Sequence, residues 1–371
     1  DLLFGLYDTV FVYNNLKNKG YIVSTGLPET EGNAREKRAK ERLNRFKRAI
    51  STPMVSEDGY PLGYTASDEI KKNFSRDDYV RAIERVLKYI SAGDAYQINL
   101  SQRFSLPLPC PPLNIYERLR EINPAPMGAF LNLGDFQILS NSPERFFKVK
   151  DKTIRTFPVK GTKKRGVSPE EDHNLIRKLR EDPKENAEHI MIVDLERNDL
   201  GRVCRHGSVM VEELNRIETY PTLHHIVSRI SGRLREDVEI SNIIEAMFPG
   251  GSITGAPKIR AMEIIDEIEP TSRGIYTGAI GYIDFSGNVD FNIAIRTAVA
   301  HKGMIHYQAG GGIVADSDPE KEHEETLLKA KAFFNAIGFE QRQGGSCQGA
   351  GGRKKKLHPV PCTLHPSSLL C

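Results

Sequence analysis

No apolar run in the chain approaches the roughly 20 residues that a membrane-spanning helix needs. No stretch at its start has the order of a secretion signal either, so a cytoplasmic protein is expected. A charge excess is also missing: 52 Lys and Arg stand against 49 Asp and Glu, leaving +3. That balance gives no reason to expect nucleic acid or a membrane surface as a partner. The five cysteines, Cys110, Cys204, Cys347, Cys362 and Cys371, lack CxxC spacing, so neither a zinc site nor a disulfide framework is indicated. No internal repeat is evident. The first residue is Asp1, which suggests a portion of something longer.

What is present is a soluble globular composition, 39% hydrophobic and 27% charged over 371 residues, enough for one large domain or two ordinary ones. Leu2 to Val23 alternates apolar and polar residues around Asn18-Lys19-Gly20, the pattern of a hairpin. Glu29 to Ile50 is dense in charge and reads as an exposed helix or a connection. Residues 1–65 are taken as the remnant of an N-terminal subdomain with a linker around Pro61, and 66–340 as the main domain. Residues 341–371, rich in glycine and then basic, read as a disordered or non-native tail.

Within the main domain, Ser75 with Asp78 starts a helix, and so do Ser168-Pro169, Asp182-Pro183 and Asp318-Pro319. Asp94 to Phe104 alternates on both faces as a strand. Ala129 to Leu133 and Phe136 to Ser140 form a hairpin that delivers the chain to Glu144. Ile275 to Val314 reads as an antiparallel meander with a strand over Val289 to His301. Gly310-Gly311-Gly312 is expected to stop the last strand.

Several residues carry chemistry. Lys160 in Pro158-Val159-Lys160-Gly161-Thr162 is expected where a strand breaks into a turn, with its ammonium facing a cleft, and a lysine with lowered pKa is a nucleophile. Gly251 to Lys258 is a glycine-rich loop that offers backbone N–H groups to an anion, without the GxxxxGK[ST] spacing of a nucleotide loop. Glu185 with Glu188, and Glu322 with Glu325, are pairs three apart, each sharing a helix face. Facing each other, they form an oxygen-only cation site suited to magnesium.

Six segments in order, DAYQINLSQRF (94–104), SPERF (142–146), IMIVDLERNDLG (190–201), GSITGAPK (251–258), NIAIRT (292–297) and Ala309 to Asp316, resemble the chorismate-utilising enzymes. The resemblance spans Asp94 to about Phe334. It implies an α+β fold of two face-to-face, largely antiparallel sheets with outer helices and an active site between, as in anthranilate synthase component I, taking chorismate with Mg2+. It further implies Glu188 and Glu325 as metal ligands, with Glu185 and Glu322 behind them. Tyr276, Arg296, Gly310 and Gly312 would hold substrate carboxylates. Thr254, Ser252 and His225 would line the same pocket. Glu144, at a strand end near Lys160, is expected as general acid, a surface pair with Arg145 being the alternative.

The lysine of PVKGT is similar to that of the aminodeoxychorismate synthases, component I, where anthranilate synthases usually have alanine. This implies amination of chorismate for p-aminobenzoate and folate, with ammonia from a glutamine amidotransferase subunit; the alternative within the family is anthranilate synthase component I. Gln97 stands where isochorismate and salicylate synthases carry a water-activating lysine, so hydroxylation is not expected. A member kept only for binding would need a damaged acidic site, and none is visible. Gly311 replaces a more usual alanine. The first segment is short, so no tryptophan effector pocket is inferred, and the tail has no counterpart in the family.

Overall fold

A computed structural model describes residues 2–51, 70–219 and 223–338, which fall into two compact units. The linker around Pro61 and the segment 341–371 lie outside the described residues. The smaller unit is a hairpin of β1 (Thr9–Asn14) and β2 (Lys19–Ser24), turned at Asn18 with φ 49°, and helix α1 (Gly32–Ser51), which buries no residue. Arg42 grips Asp8 with a 2.7 Å hydrogen bond from Nη2.

The larger unit runs in chain order through β3 (Lys71–Lys72), α2 (Arg76–Ser91), β4 (Gln97–Pro107), α3 (Pro112–Ile122), β5 (Met127–Asn132), β6 (Phe136–Ser142), β7 (Arg145–Lys150) and β8 (Thr153–Thr156). It continues through β9 (Val159–Lys164), α4 (Pro169–Glu181), α5 (Pro183–Gly201), β10 (Met210–Thr219), β11 (Leu223–Arg233) and α6 (Ile240–Met247). It ends with β12 (Gly255–Ala256), α7 (Lys258–Ile268), β13 (Ala279–Ile283), β14 (Val289–Ile293), β15 (Thr297–His301), β16 (Met304–Ile313) and α8 (Pro319–Ala336).

Two antiparallel sheets result. The first has the order β10-β11-β8-β7-β14-β13, with β9 also paired to β11; the second has β12-β4-β16-β15-β6-β5, with β3 paired to β4. The expected α+β architecture is therefore observed. The helix starts follow their caps: Ser75 accepts from Asp78 N, Ser168 from Glu171 N, and Asp318 from Glu320 and Lys321 N.

Apolar faces explain the layers. Phe104, Leu139, Ile305 and Tyr307 of the second sheet pack under α3 and α8, with the Tyr307 ring stacked on Phe333 at 4.3 Å. Phe147, Ile154 and Ile230 of the first sheet meet Val193 and Leu200 of α5 and Met247 of α6. Tyr79, Ile83 and Ile264 bring α2 and α7 onto Ile98 and Leu100. Among the described residues no helix is long and apolar enough to cross a membrane.

Three local expectations are corrected. The glycine triplet does not stop β16, because Gly310, Gly311 and Gly312 continue its ladder against Ser101, Leu100 and Asn99 of β4. Pairing to a long central strand overrides the weak strand preference of glycine. Val289 to His301 is two strands in different sheets, not one. Lys160 does not end a strand: it lies within β9, which runs on to Lys164.

Candidate active site

The chain passes from one sheet to the other at two neighbouring places. After β6 it crosses through Pro143 and Glu144 into β7, and after β14 it crosses back through Arg296 into β15. The two crossings are stitched together: Ile293 N donates to Glu144 O at 3.1 Å, Asn141 N to Arg296 O at 3.0 Å, and Ser142 Oγ to Ile293 O at 2.6 Å. Arg296 has φ 53°, an uncommon conformation for a residue with a Cβ, and of the kind found where a side chain is aimed for use. Its guanidinium donates through Nη1 to the Lys329 carbonyl.

Lys160 is aimed by a bulge. Ile226 pairs with Lys160 and His225 with Thr162, which leaves Gly161 unpaired at φ 59°. A Cβ there would lie 3.0 Å from Ile226 Cδ1 and from Leu179 Cδ1, and 3.2 Å from Glu185 Oε2. Glycine suits this position, since a side chain would have to take the left-handed backbone and push three side-chain ends aside. Lys160 Nζ donates to Glu188 Oε2 at 3.3 Å and lies 3.5 Å from where a Cβ on Gly312 would stand. The amine of the first sheet thus reaches the glycine strand of the second. His225, half-buried on β11, is pushed below the usual imidazole value by burial, against a hydrogen bond with the Gly161 backbone.

The glutamate pairs flank this amine on α5 and α8. Burial, then the Glu188 charge, raises the Glu185 carboxyl above its ordinary value. On α8, Glu322 accepts from Ser317 Oγ at 2.7 Å and Glu325 from Lys329 Nζ at 2.6 Å. Burial works upward on Glu325, but Lys329, Lys160 and Arg296 outweigh it and hold its carboxyl below the usual range. A Cβ on Gly311 would stand 3.1 Å from Glu322 Oε2 and 3.8 Å from Glu325 Oε1.

Glu144 is 8% exposed, and its Oε1 accepts from Ser252 Oγ at 3.0 Å. Burial pushes its carboxyl up to about 7, against the Ser252 hydrogen bond and the charges of Lys160 and Lys329. A surface pair with Arg145 is absent, because Arg145 turns to Asp290 at 2.8 Å. Thr254 in the same glycine loop spends its hydroxyl on Gly250 O at 2.8 Å. Tyr276 is buried, and its Oη would be 2.9 Å from a Cβ on Gly310. Burial holds this phenol well above its ordinary value, so it remains a donor.

The fold therefore brings Lys160, Glu144, the glutamate pairs, Ser252, Tyr276, Arg296 and the glycine strand to the space between the sheets. Thr254 is turned onto its own loop. Lys329 was missed by sequence reasoning: its Nζ also donates to Gly310 O at 2.9 Å, and desolvation brings its ammonium below the usual lysine value. Its spacing of four from Glu325 was the available signal, but such pairs are common on solvated helices. Gln97 is fully buried with neither amide atom partnered, its Nε2 3.0 Å from a Cβ on Gly312, so its amide faces the same space.

Among the described residues no three His, Cys, Asp or Glu side chains converge on one metal position. Magnesium needs only one or two protein carboxylates, with water and substrate oxygens completing its shell. The oxygen-only donors suit that ion, and the ammonium groups against Glu188 and Glu325 show that both carboxylates face cations here.

Comparison with known proteins gives the family. The model for chorismate binding enzymes matches residues 1–335. Anthranilate synthase component 1 of Pseudomonas aeruginosa is 43% identical over 344 residues, covering 92% of this chain and 70% of that protein. Aminodeoxychorismate synthase component 1 of Bacillus subtilis is 40% identical over 343 residues, covering 92% and 72%. The crystal structure of anthranilate synthase component I from Streptococcus pneumoniae superposes with a TM-score of 0.80 at 34% identity, over 88% of this chain and 72% of that one. With a family match over nine-tenths of its length and relatives above 40% identity over most of it, the chain belongs to the chorismate-utilising enzymes.

Proposed function

We propose that the chain is the chorismate-aminating component of an aminodeoxychorismate synthase, converting chorismate and ammonia to 4-amino-4-deoxychorismate. The observation that carries this reading is Lys160, a primary amine directed at Glu188 and the glycine strand, at a position where, by the resemblance, anthranilate synthases usually have alanine. Direct displacement of the ring hydroxyl by ammonia is difficult, and a covalent route splits it into two easier steps. Lys160 Nζ attacks the ring carbon next to the one bearing the carboxylate. The double bonds shift and the C–O bond to the hydroxyl breaks. Glu144 supplies the proton that makes the leaving group water. Ammonia then adds at the vacated carbon, the double bonds shift back, and the lysine is expelled. The proton lost by the added nitrogen returns to the protein.

In this reading Arg296, Tyr276, Lys329 and the amides of Gly310 and Gly312 bind the substrate carboxylates. Glu188 and Glu325 would hold Mg2+, with Glu185 and Glu322 behind, and the ion would supply positive charge to the ring carboxylate. Ammonia would come from a glutamine amidotransferase subunit.

The test supplies chorismate and magnesium with and without ammonium, reading products by chromatography and the protein by intact mass. Without ammonium a covalent adduct on Lys160 is expected, and with it 4-amino-4-deoxychorismate. Lys160→Ala should abolish the adduct and open the adjacent ring carbon to ammonia. Absence of the adduct, with amination by Lys160→Ala at a comparable rate, would sink the proposal. A second reading, anthranilate synthase component I, is favoured by the names of several relatives at 41–45% identity, and release of anthranilate and pyruvate by the unaltered chain would establish it.

A further inference from the structure

One guanidinium ties several walls of the site together. The side chain of Arg273, between α7 and β13, is 13% exposed, and each of its N–H groups is committed. Nε donates to Glu269 Oε2 at 2.9 Å and Nη2 to Glu269 Oε1 at 2.7 Å, a bidentate pair with a carboxylate that is 3% exposed. Nη2 also donates to Asn99 O of β4 at 2.6 Å, and Nη1 to Ile253 O of the glycine loop at 3.1 Å and to Thr277 Oγ1 at 3.4 Å. Glu269, which ends α7, accepts in turn from Ser101 N at 2.8 Å and Ser101 Oγ at 2.9 Å on β4.

Two of the groups held this way serve the site. The guanidinium lies 5.7 Å from the centre of the Tyr276 ring, and Tyr276 N donates to Arg273 O at 3.2 Å. Thr277, next in the chain, has φ 64°, a strained backbone for a β-branched residue that persists only where its neighbours over-determine it. Ile253 follows Ser252, whose hydroxyl donates to Glu144. A buried ion pair is weak evidence for stability, because desolvation offsets its attraction. What the planar fork adds is a fixed spacing between β4, the glycine loop and the turn that carries Tyr276.

We propose that Arg273 is a positioning residue: with Glu269 it clamps the glycine loop and the Tyr276 turn to β4, so that the Tyr276 phenol stays beside Gly310 and the Ser252 hydroxyl on Glu144. It acts on the substrate only through those two side chains. The proposal rests on the reading in which Tyr276 binds a substrate carboxylate and Glu144 is the acid. Lysine at this place keeps the charge and can keep Glu269, but one ammonium cannot span the remaining acceptors. Arg273→Lys therefore loosens the clamp without leaving Glu269 as an unpaired buried charge.

The test is a pair of double-mutant cycles on the full chain with saturating ammonium and magnesium, following loss of chorismate, so that the result does not depend on which product forms. Arg273→Lys should raise KM for chorismate about tenfold and lower kcat about tenfold. In Tyr276→Phe, which has no phenol to misplace, its effect on KM should shrink to about twofold or less, and in Ser252→Ala its effect on kcat should shrink likewise. General loosening of the fold would carry through both backgrounds undiminished. Ser101→Ala removes one hydrogen bond from Glu269 and leaves the ion pair, so it keeps the test open should Arg273→Lys fail to fold; it should raise KM about threefold, and only where the Tyr276 phenol is present. Undiminished effects in either background, or normal KM and kcat in folded Arg273→Lys, would overturn the proposal. If Tyr276→Phe alone leaves KM unchanged, the carboxylate reading of Tyr276 fails and the proposal with it; if Tyr276→Phe raises KM and Arg273→Lys does not, the proposal alone fails.

Discussion

The three glycines of β16 offer a graded test of the site, because a single methyl group meets a different obstacle at each. At Gly310 an added Cβ would lie 2.5 Å from Leu100 O, 2.8 Å from Ser101 Cβ and 2.9 Å from Tyr276 Oη. Two of these atoms belong to the strand paired alongside, so neither can yield without opening the ladder. Overpacking of this kind costs about 3 kcal/mol. At about 2 °C per kcal/mol for a unit of this size, Gly310→Ala should lower Tm by about 6 °C.

At Gly311 the nearest atom is Glu322 Oε2 at 3.1 Å, the end of a flexible side chain. A shift of a few tenths of an ångström relieves it, and replacing a strand glycine by alanine gains about 0.5 kcal/mol. Gly311→Ala should be as stable as the unaltered chain or slightly more so, and active. At Gly312 the methyl meets Gln97 Nε2 at 3.0 Å and approaches Lys160 Nζ at 3.5 Å. Here stability should fall by about 1 kcal/mol, while the methyl narrows the space before the amine and kcat should drop about tenfold or more. The assay is a thermal melt of each variant beside its turnover of chorismate. A Gly310→Ala protein as stable as its parent, or a Gly311→Ala protein less stable than Gly310→Ala, would refute the reasoning.

Two further outcomes follow from the same geometry. Ser252→Ala removes the donor that draws the Glu144 carboxyl down, so the proton is held more tightly and the alkaline limb of kcat should rise by about one pH unit or less; a limb that falls would contradict the contact. Glu188→Gln should weaken magnesium-dependent chorismate binding by about tenfold or more while Tm changes little, read by calorimetry with and without a chelator; full activity of this variant in a metal-stripped assay would remove the magnesium reading.

Much of this protein was determined by local sequence. Caps at Ser75, Ser168 and Asp318 set the helix starts because side-chain oxygens satisfy amides that a first turn leaves open. Ordered motifs named the family because each carries chemistry at fixed spacing. What the sequence could not decide depended on partners distant along the chain. Gly310 to Gly312 read as a stop until β4 supplied the opposing ladder. The strand over Val289 to His301 looked continuous because the left-handed φ of Arg296, which sends the chain into the other sheet, has no signature in residue type. Lys329 looked like an ordinary charged position on a helix, and only the packing of α8 against the sheet turned it inward. Burial and electrostatic coupling arise between surfaces, so tertiary structure alone fixed which carboxyls are raised in proton affinity and which amines face them.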